Sequence, residues 1–178
     1  MKSVLRYTAA GVALATFGFA SAASAATDDA QVTAEILSTL QIVAVTGDDT
    51  LDFGQIADAG LTGTSTVAVS AAGVRSCGSN LACSGTVNAP SFTITGLTGS
   101  AVAVSFPALT ATLTLSGVAP SGMAGTMSVG TFNTDLASNP LTLTTGTATF
   151  AVGGTLTVNP LQAPGIYTGS VNVQVLYN

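Results

Sequence analysis

The sequence predicts an all-β fold, and three observations lead to this prediction. Beyond the first thirty residues, apolar residues alternate with Thr, Ser and Gln at a period of two, which is the period of a half-buried strand. Gly, Pro, Asn and Ser interrupt the alternation at short intervals, as turns do. The same stretch lacks helical periodicity. About ten short strands separated by turn signals are typical of an immunoglobulin-like β-sandwich.

The strands are predicted in chain order from this alternation. Residues 32–46 form either one long half-buried strand or two strands end to end. In Leu109–Leu115, Leu and Ala alternate with Thr, so one face is apolar and the other carries hydroxyls. Gly153-Gly154 is predicted to form a hairpin turn, and Ile166–Tyr177 to form the last strand. Shorter apolar runs account for the other strands: residues 51–53, 67–71, 90–94, 102–106, 127–129, 141–143, 150–152 and 156–158.

The first 25 residues have the pattern of a secretory signal peptide. Lys2 and Arg6 precede an uncharged apolar run over residues 9–20, and the small residues 23–25 supply a cleavage site. The run is shorter than the about 20 residues that span a bilayer, so we expect no membrane-spanning helix. Removing 25 residues from 178 leaves 153, which is the length of a single domain with a sizeable core.

The charge of the exported chain limits its partners. Arg75 is its only basic residue, against eight acids, so the net charge is −7. Nucleic acid and anionic lipid surfaces attract basic patches, so neither is an expected partner. Charged residues make up 6% of the sequence, whereas soluble domains average about 25%. A surface of Thr, Ser and Gly in their place suits strand-to-strand assembly.

The sequence lacks the groups on which most catalytic sites depend. It has no histidine, and no lysine follows the signal peptide, so Ser–His–Asp and Cys–His sites are excluded. The even pair Cys77 and Cys83 is expected to form a disulfide in an oxidising compartment. Closing this short loop contributes roughly 2 kcal/mol by the chain-entropy estimate. We expect a protein that is not an enzyme and carries no cofactor.

One group of carboxylates is a weak candidate for Ca²⁺ binding. Asp48, Asp49 and Asp52 lie close together in a predicted loop, and loop carboxylates are ligands that Ca²⁺ accepts. Their spacing differs from that of an EF-hand, and Asp52 lies on the outward side between two apolar residues. A solvated loop is therefore the preferred interpretation, and no metal site is predicted.

The C-terminal residues resemble the C-terminal signature of chaperone–usher pilin subunits. Gly165 is the fourteenth residue from the end, Tyr177 is penultimate, and the strand between them alternates. The resemblance implies an incomplete sandwich in which a periplasmic chaperone, and then the N-terminal strand of the next subunit, adds to this edge. An outer-membrane usher is the other implied partner. The residues expected along the groove are Gly165, Tyr167, Gly169, Val171, Val173, Val175 and Tyr177.

The N-terminus of the exported chain has the features of a donated strand. Residues 26–38 would be the donor extension and residues 39–178 the β-sandwich domain. A donated strand is extended and apolar on one face, as residues 31–38 are. The alternative is that residues 32–46 form the first strand of their own sandwich, because alternation alone does not separate the two. The expected inserting side chains are Val32, Ala34, Ile36 and Leu40.

Most of residues 31–178 also resemble a family of bacterial secreted domains of unknown function. The matching stretches are Leu51–Gly54, Val152–Leu156, Gly165–Gly169 and the end of the chain. This resemblance implies no activity, and it is also compatible with spore-coat-U-like secreted proteins. One feature departs from many pilins, in which the disulfide joins two separate strands, whereas Cys77 and Cys83 are six residues apart.

Two functional hypotheses follow. The first is a pilin-like subunit, exported to the periplasm and then to a cell-surface fibre, which polymerises with identical or related subunits by donor-strand exchange. The second is a self-complete secreted or surface sandwich, such as a coat protein or a small module that binds glycans or Ca²⁺.

Overall fold

The computed structural model describes residues 33–178, and Ile36–Asn178 form one compact unit. Within this part of the chain every regular element is a β-strand, which confirms the predicted all-β, sandwich-like fold. The predicted signal peptide and Val32 lie outside the described residues. The strands are β1 Gln41–Ala44, β2 Gln55–Asp58, β3 Ser65–Val69, β4 Arg75–Cys77, β5 Leu81–Ser84, β6 Ser91–Thr95, β7 Ala101–Ser105, β8 Thr110–Leu115, β9 Thr126–Thr134, β10 Leu141–Thr142, β11 Thr147–Val158, β12 Tyr167–Thr168 and β13 Gln174–Tyr177.

The twelve-residue strand β11 organises the sheets. Its first half pairs with β6, which in turn pairs with β1. Its second half lies between β3 and β9, and the same sheet continues to β4 on one side and to β8 and β12 on the other. All of these pairs are antiparallel. A three-stranded sheet in the order β10-β7-β13 and the β2-β5 pair complete the fold.

Two separate apolar clusters hold these sheets together. Core 1 lies on the sheet around the second half of β11 and is covered by side chains of β2 and β5. Core 2 lies between the β1-β6-β11 strands and the β10-β7-β13 sheet. The buried members of core 1 are Phe53, Val67, Val69, Ala89, Val129, Leu156 and Val158. Those of core 2 are Ile94, Val102, Val104, Leu143, Phe150 and Val152.

Two of the strands expected from alternation are shorter in the structure. In residues 33–46 only β1 is paired, and residues 33–40 are without strand structure. The expected last strand divides into β12, which pairs with β8, and β13, which pairs with β7. The partner itself is interrupted between β7 and β8 at Pro107, a residue that has no N–H for a ladder. The last strand therefore divides where its pairing changes from β8 to β7.

The predicted hairpin turn at Gly153-Gly154 is wrong. β11 passes through both glycines without reversing, and its register with β9 shifts between Gly153 and Thr155, which marks a bulge. A Cβ on Gly153 would lie 2.5 Å from the carbonyl oxygen of Val69 and 2.6 Å from the amide nitrogen of Ala71. The glycine is therefore required by close packing against a neighbouring strand and not by a turn.

The motif Leu51–Gly54 and Arg75 join the covering strands to the main sheet. Phe53 is buried in core 1, and the Asp52 carboxylate accepts a hydrogen bond from the Gly54 N–H at 2.8 Å. One guanidinium nitrogen of Arg75 donates to the carbonyl oxygens of Phe53, Ser84 and Gly85 at 3.3, 2.7 and 3.4 Å. The predicted disulfide between Cys77 and Cys83 is confirmed and links β4 to β5 beside this cluster.

Candidate functional site

The outer edge of β13 is open. Asn178 donates its N–H to the carbonyl of Ala101, and Leu176 lies opposite Ala103. In an antiparallel pair, alternate residues exchange hydrogen bonds, so Gln174, Leu176 and Asn178 bond to β7. The backbone groups of Val175 and Tyr177 consequently point to the opposite side, where the described residues provide no strand.

By contrast, β7 is paired along both sides. Leu141 of β10 lies opposite Val102. Further along β7, the side-chain amide of Asn139 satisfies the backbone in place of a strand. It accepts from the Val104 N–H at 3.0 Å and donates to the Val104 carbonyl at 2.7 Å. The three-stranded sheet is therefore closed beyond β7 on one side and open beyond β13 on the other.

A second open edge, that of β1, lies across core 2 from β13. Val45 donates its N–H to the Ser91 carbonyl at 2.9 Å, which shows which alternate residues of this strand form hydrogen bonds to the β6 side. The backbone groups of Ile42 and Ala44 therefore point away from β6. We call the side of core 2 between these two edges the groove. The half-buried side chains that pack against core 2 from these edges are Leu40, Ile42, Val173, Val175 and Tyr177.

The Tyr177 side chain occupies one end of the groove. Its hydroxyl donates to the Ser38 carbonyl at 2.9 Å and accepts from the Leu97 N–H at 2.8 Å. Gly96 lies beneath it, and a Cβ there would be 2.7 Å from the hydroxyl oxygen and 2.9 Å from a Leu40 methyl. The ring thus connects the C-terminal strand to the residues that precede β1.

The seven residues expected along the groove do not lie together. Val173, Val175 and Tyr177 pack against core 2, while Val171 lines a hollow of about 290 Å³ with Ala108 and Phe132. The other three follow β8 beside the first sheet: Gly165, Tyr167 and Gly169.

Neither glycine leaves room for a donated side chain. A Cβ on Gly165 would lie 2.5 Å from a Leu115 methyl, and one on Gly169 would lie 2.5 Å from the Thr112 carbonyl. Gly165 also has a φ of 146°, a conformation that favours glycine. The space that the glycines provide is filled by the chain's own β8.

Tyr167 serves the chain's own packing as well. Its hydroxyl donates to the carbonyls of Ala163 and Ala124, at 2.7 and 3.0 Å, and accepts from the Gln162 amide at 2.8 Å. A tyrosine hydroxyl bonded to the backbone four residues upstream resembles the tyrosine corner of β-sandwiches. This residue fixes the start of β12.

The four candidate donor residues differ in how they are placed and exposed. Ala34 and Ile36 are exposed, and Ile36 has 94% of its surface accessible. Leu40 packs against its own core 2 and so belongs to the domain. Val32 lies outside the described residues.

The carboxylates of Asp48, Asp49 and Asp52 do not converge on a common point. Asp48 accepts from the Asn88 amide at 2.8 Å, while Asp52 turns to the Gly54 N–H and Asp49 to the Thr50 hydroxyl. Residues 33–178 contain no group of three His, Cys, Asp or Glu side chains that could hold a metal ion. Each carboxylate instead accepts a hydrogen bond from a different donor, either a backbone N–H or a neighbouring side chain.

The pKa of Asp48 predicts a pH-dependent contribution to stability. Hydrogen bonding by the Ser91 side chain, and then by Asn88, holds this pKa below its ordinary value of 3.8, against a smaller opposing effect of burial. A carboxyl with a lowered pKa in the folded state stabilises the protein above its unfolded pKa, and this is lost as pH falls through the folded pKa. In thermal melts from about pH 6 to about pH 2, the advantage of the wild type over Asp48→Asn should therefore shrink.

Asp49→Asn is the matched control, because it removes only a 3.4 Å contact with Thr50. This control should therefore cost little stability. An Asp48→Asn melting curve that stays parallel to the wild type at every pH would contradict the assignment.

Sequence reasoning missed two parts of this arrangement. The partners of the Tyr177 hydroxyl, Ser38 and Leu97, are separated from it by 139 and 80 residues, and no local pattern marks them. A shallow hollow of about 510 Å³ on the first sheet is lined by hydroxyls of β3, β9 and β11 and by Phe106 and Phe132. The Thr alternation of these strands was the available signal for its polar face.

Within residues 33–178 no helix has the length and apolar character needed to cross a bilayer.

Residues 36–178 thus form an antiparallel β-sandwich-like domain in which one side of β13 has no partner among the described strands. The chain belongs to a family described as a domain of unknown function, DUF4402, whose sequence model matches residues 43–177. The match begins inside β1 and ends at Tyr177, so the exposed residues 33–39 precede it. No curated protein and no solved structure matches the chain.

Proposed function

We propose that this protein is a structural subunit that assembles into a surface fibre by donor-strand exchange, and that it has no catalytic role. The N-terminal extension of one copy adds as a strand to the open edge of β13 in the next copy. The observation that carries the proposal is this open edge beside core 2, together with an unpaired apolar extension in the same chain.

Backbone pairing favours this reaction. An open edge exposes N–H and C=O groups that pair readily with another extended chain. In the donated position, residues 31–37 bond to the outward backbone groups of Val175 and Tyr177. The new strand is paired along its length, which slows its release.

Apolar burial adds to the pairing. Val173, Val175 and Ile42 are only half-buried, and an inserted apolar strand covers them. Burying one fully exposed aliphatic side chain contributes about 1.5–3 kcal/mol, and Ile36 is 94% exposed in the single chain. The even-numbered side chains Val32, Ala34 and Ile36 then share the inward face of the donated strand.

The same edge accounts for the partners that the pilin resemblance implies. Before assembly, an open strand edge beside an apolar groove aggregates unless another strand covers it. A periplasmic chaperone would cover it first and an outer-membrane usher would exchange it for the next subunit. The chain would pass from the signal-peptide pathway through the periplasm to the cell surface.

Gel electrophoresis in cold SDS tests the proposal. Strand-exchanged polymers dissociate slowly, so the native surface fraction should give a ladder without boiling and a single band near the mature mass after boiling. Deletion of residues 26–38 should abolish the ladder. Ile36→Asp should do the same, because a carboxylate is costly to bury in the groove. Val118→Asp is the matched control, since Val118 is also 94% exposed but lies between β8 and β9.

A single monomer band before and after boiling would overturn the proposal. It would favour the second candidate, a self-complete secreted or surface sandwich such as a coat protein. That candidate is supported by the pairing of β1 with β6, which shows that residues 41–44 of the N-terminal stretch belong to the chain's own sheet.

A further inference from the structure

We propose that Tyr177 is a positioning residue that keeps the N-terminal extension out of its own groove. This inference rests on the proposed function, because it names the occupant of the groove as a second copy of the chain. It concerns the few residues between the extension and β1, where the chain would have to reverse to fill its own edge.

The direction in which the N-terminal extension leaves the domain decides whether the chain can fill its own groove. Gln41 pairs with Thr95 at the end of β6, and Tyr177 accepts from Leu97 two residues beyond β6, so β1 begins where β13 ends. The extension therefore leaves the domain at the Tyr177 end of the groove. To enter the groove it would have to turn back at once and run antiparallel to β1.

Two contacts, which we call anchors, fix the residues at which the chain would have to turn back. The Ser38 carbonyl is bound to the Tyr177 hydroxyl at 2.9 Å, and the Leu40 side chain packs against core 2 beside Gly96. Thr39 alone separates them. A chain fixed at both residues cannot form a turn there without giving up one of these contacts.

Turn chemistry and register oppose reversal as well. Tight hairpins need φ above zero at their central residues, which Gly and Asn adopt readily, and Ser38–Gln41 contains neither. A two-residue loop of Thr39 and Leu40 would place Leu37 opposite Ile42 and turn Ile36 outward, since a one-residue slip exchanges the faces. A three-residue loop restores Ile36 to the inward face but removes both anchors.

One insertion relieves all of these obstacles. Replacing Thr39 by the dipeptide Asn-Gly supplies a two-residue turn and places Ser38 opposite Leu40, Ile36 opposite Ile42 and Ala34 opposite Ala44. Leu40 can then remain in core 2. The matched control replaces Thr39 by Thr-Gln, which adds the same length without a turn former.

The Asn-Gly variant should lose the cold-SDS ladder, run as a folded monomer and melt at a higher temperature than the Thr-Gln control. The control should keep the ladder. Tyr177→Phe keeps the ring but releases the Ser38 carbonyl, so it should move part of the protein from ladder to monomer. In the Asn-Gly background, Ile36→Asp should lower the melting temperature, because Ile36 now lies in the chain's own groove.

Three results would overturn the inference. These are a ladder in the Asn-Gly variant equal to that of its control, a wild-type ladder in Tyr177→Phe, or no effect of Ile36→Asp on the melting of the Asn-Gly variant. The melting measurement does not depend on assembly. A wild type without a ladder would therefore refute the fibre, while the Asn-Gly melting curve would still decide whether a turn at residue 39 lets the extension enter its own groove.

Discussion

Phe150→Ala should lower the free energy of unfolding by about 3–5 kcal/mol, which is the usual cost of truncating a buried phenylalanine. Phe150 is 2% exposed and lies in core 2, where its ring stacks on that of Phe92 with centroids 5.6 Å apart. It also lies on the half of β11 that pairs with β6. The cavity would form between the two sheets that carry the open edges.

Denaturant unfolding with the disulfide intact measures this loss. Phe106→Ala is the matched control, because Phe106 is half-buried and pairs with another half-buried ring, Phe132, at 5.3 Å. Its cost should be clearly smaller. A loss under about 1 kcal/mol for Phe150→Ala would mean that core 2 is not packed as described, because about 1 kcal/mol is the cost of an average substitution and not of removing a buried ring.

Gly153→Ala should destabilise the fold by about 3 kcal/mol or more, although it adds a single methyl group. The new Cβ would lie 2.5 Å from the Val69 carbonyl oxygen, 2.6 Å from the Ala71 nitrogen and 2.7 Å from the Asn133 side-chain oxygen. Two of these atoms belong to the backbone, so no side-chain rotation relieves the contact. β11 and β3 would have to separate.

Gly63→Ala is the control for this substitution. No atom lies within 4 Å of the Cβ that it would add, and its backbone does not need glycine, so a neutral or slightly stabilising effect is expected. Unfolding curves of the two variants under the same conditions make the comparison. Equal stability of Gly153→Ala and Gly63→Ala would show that the bulge in β11 relaxes freely.

The local sequence pattern was sufficient to predict the fold class and the position of several strands. The Thr alternation of Leu109–Leu115 corresponds to β8 and its flank, and two cysteines in a chain with a predicted signal peptide were enough to predict their disulfide. Both properties depend on neighbours in sequence. Alternation reports one buried face, whatever strand lies beside it.

Pairing partners could not be predicted in the same way. Gly153-Gly154 has the composition of a turn, but the approach of Val69–Ala71 from across the sheet decides its conformation. The last strand divides because its two halves pair with different strands, β8 and β7, which lie far earlier in the chain. These are tertiary effects that override local preference.

The candidate site is the least accessible to sequence reasoning, because an open edge is defined by the strand that is missing beside it. The side chains of β13 alternate as they would in any half-buried strand. Only the topology shows that β7 is paired on both sides and β13 on one. The inward-facing Val173, Val175 and Tyr177 could be predicted, whereas the separation of Gly165, Tyr167 and Gly169 from them could not.

The position of Arg75 has a consequence for resistance to proteolysis. It is the only Lys or Arg beyond residue 6, so a trypsin-like protease has one peptide bond to attack in that part of the chain. That bond lies within β4, paired with β3, and the guanidinium that such a protease must recognise is bound to three carbonyl oxygens. The folded domain should therefore resist tryptic digestion, and cleavage after Arg75 would report that β4 has opened.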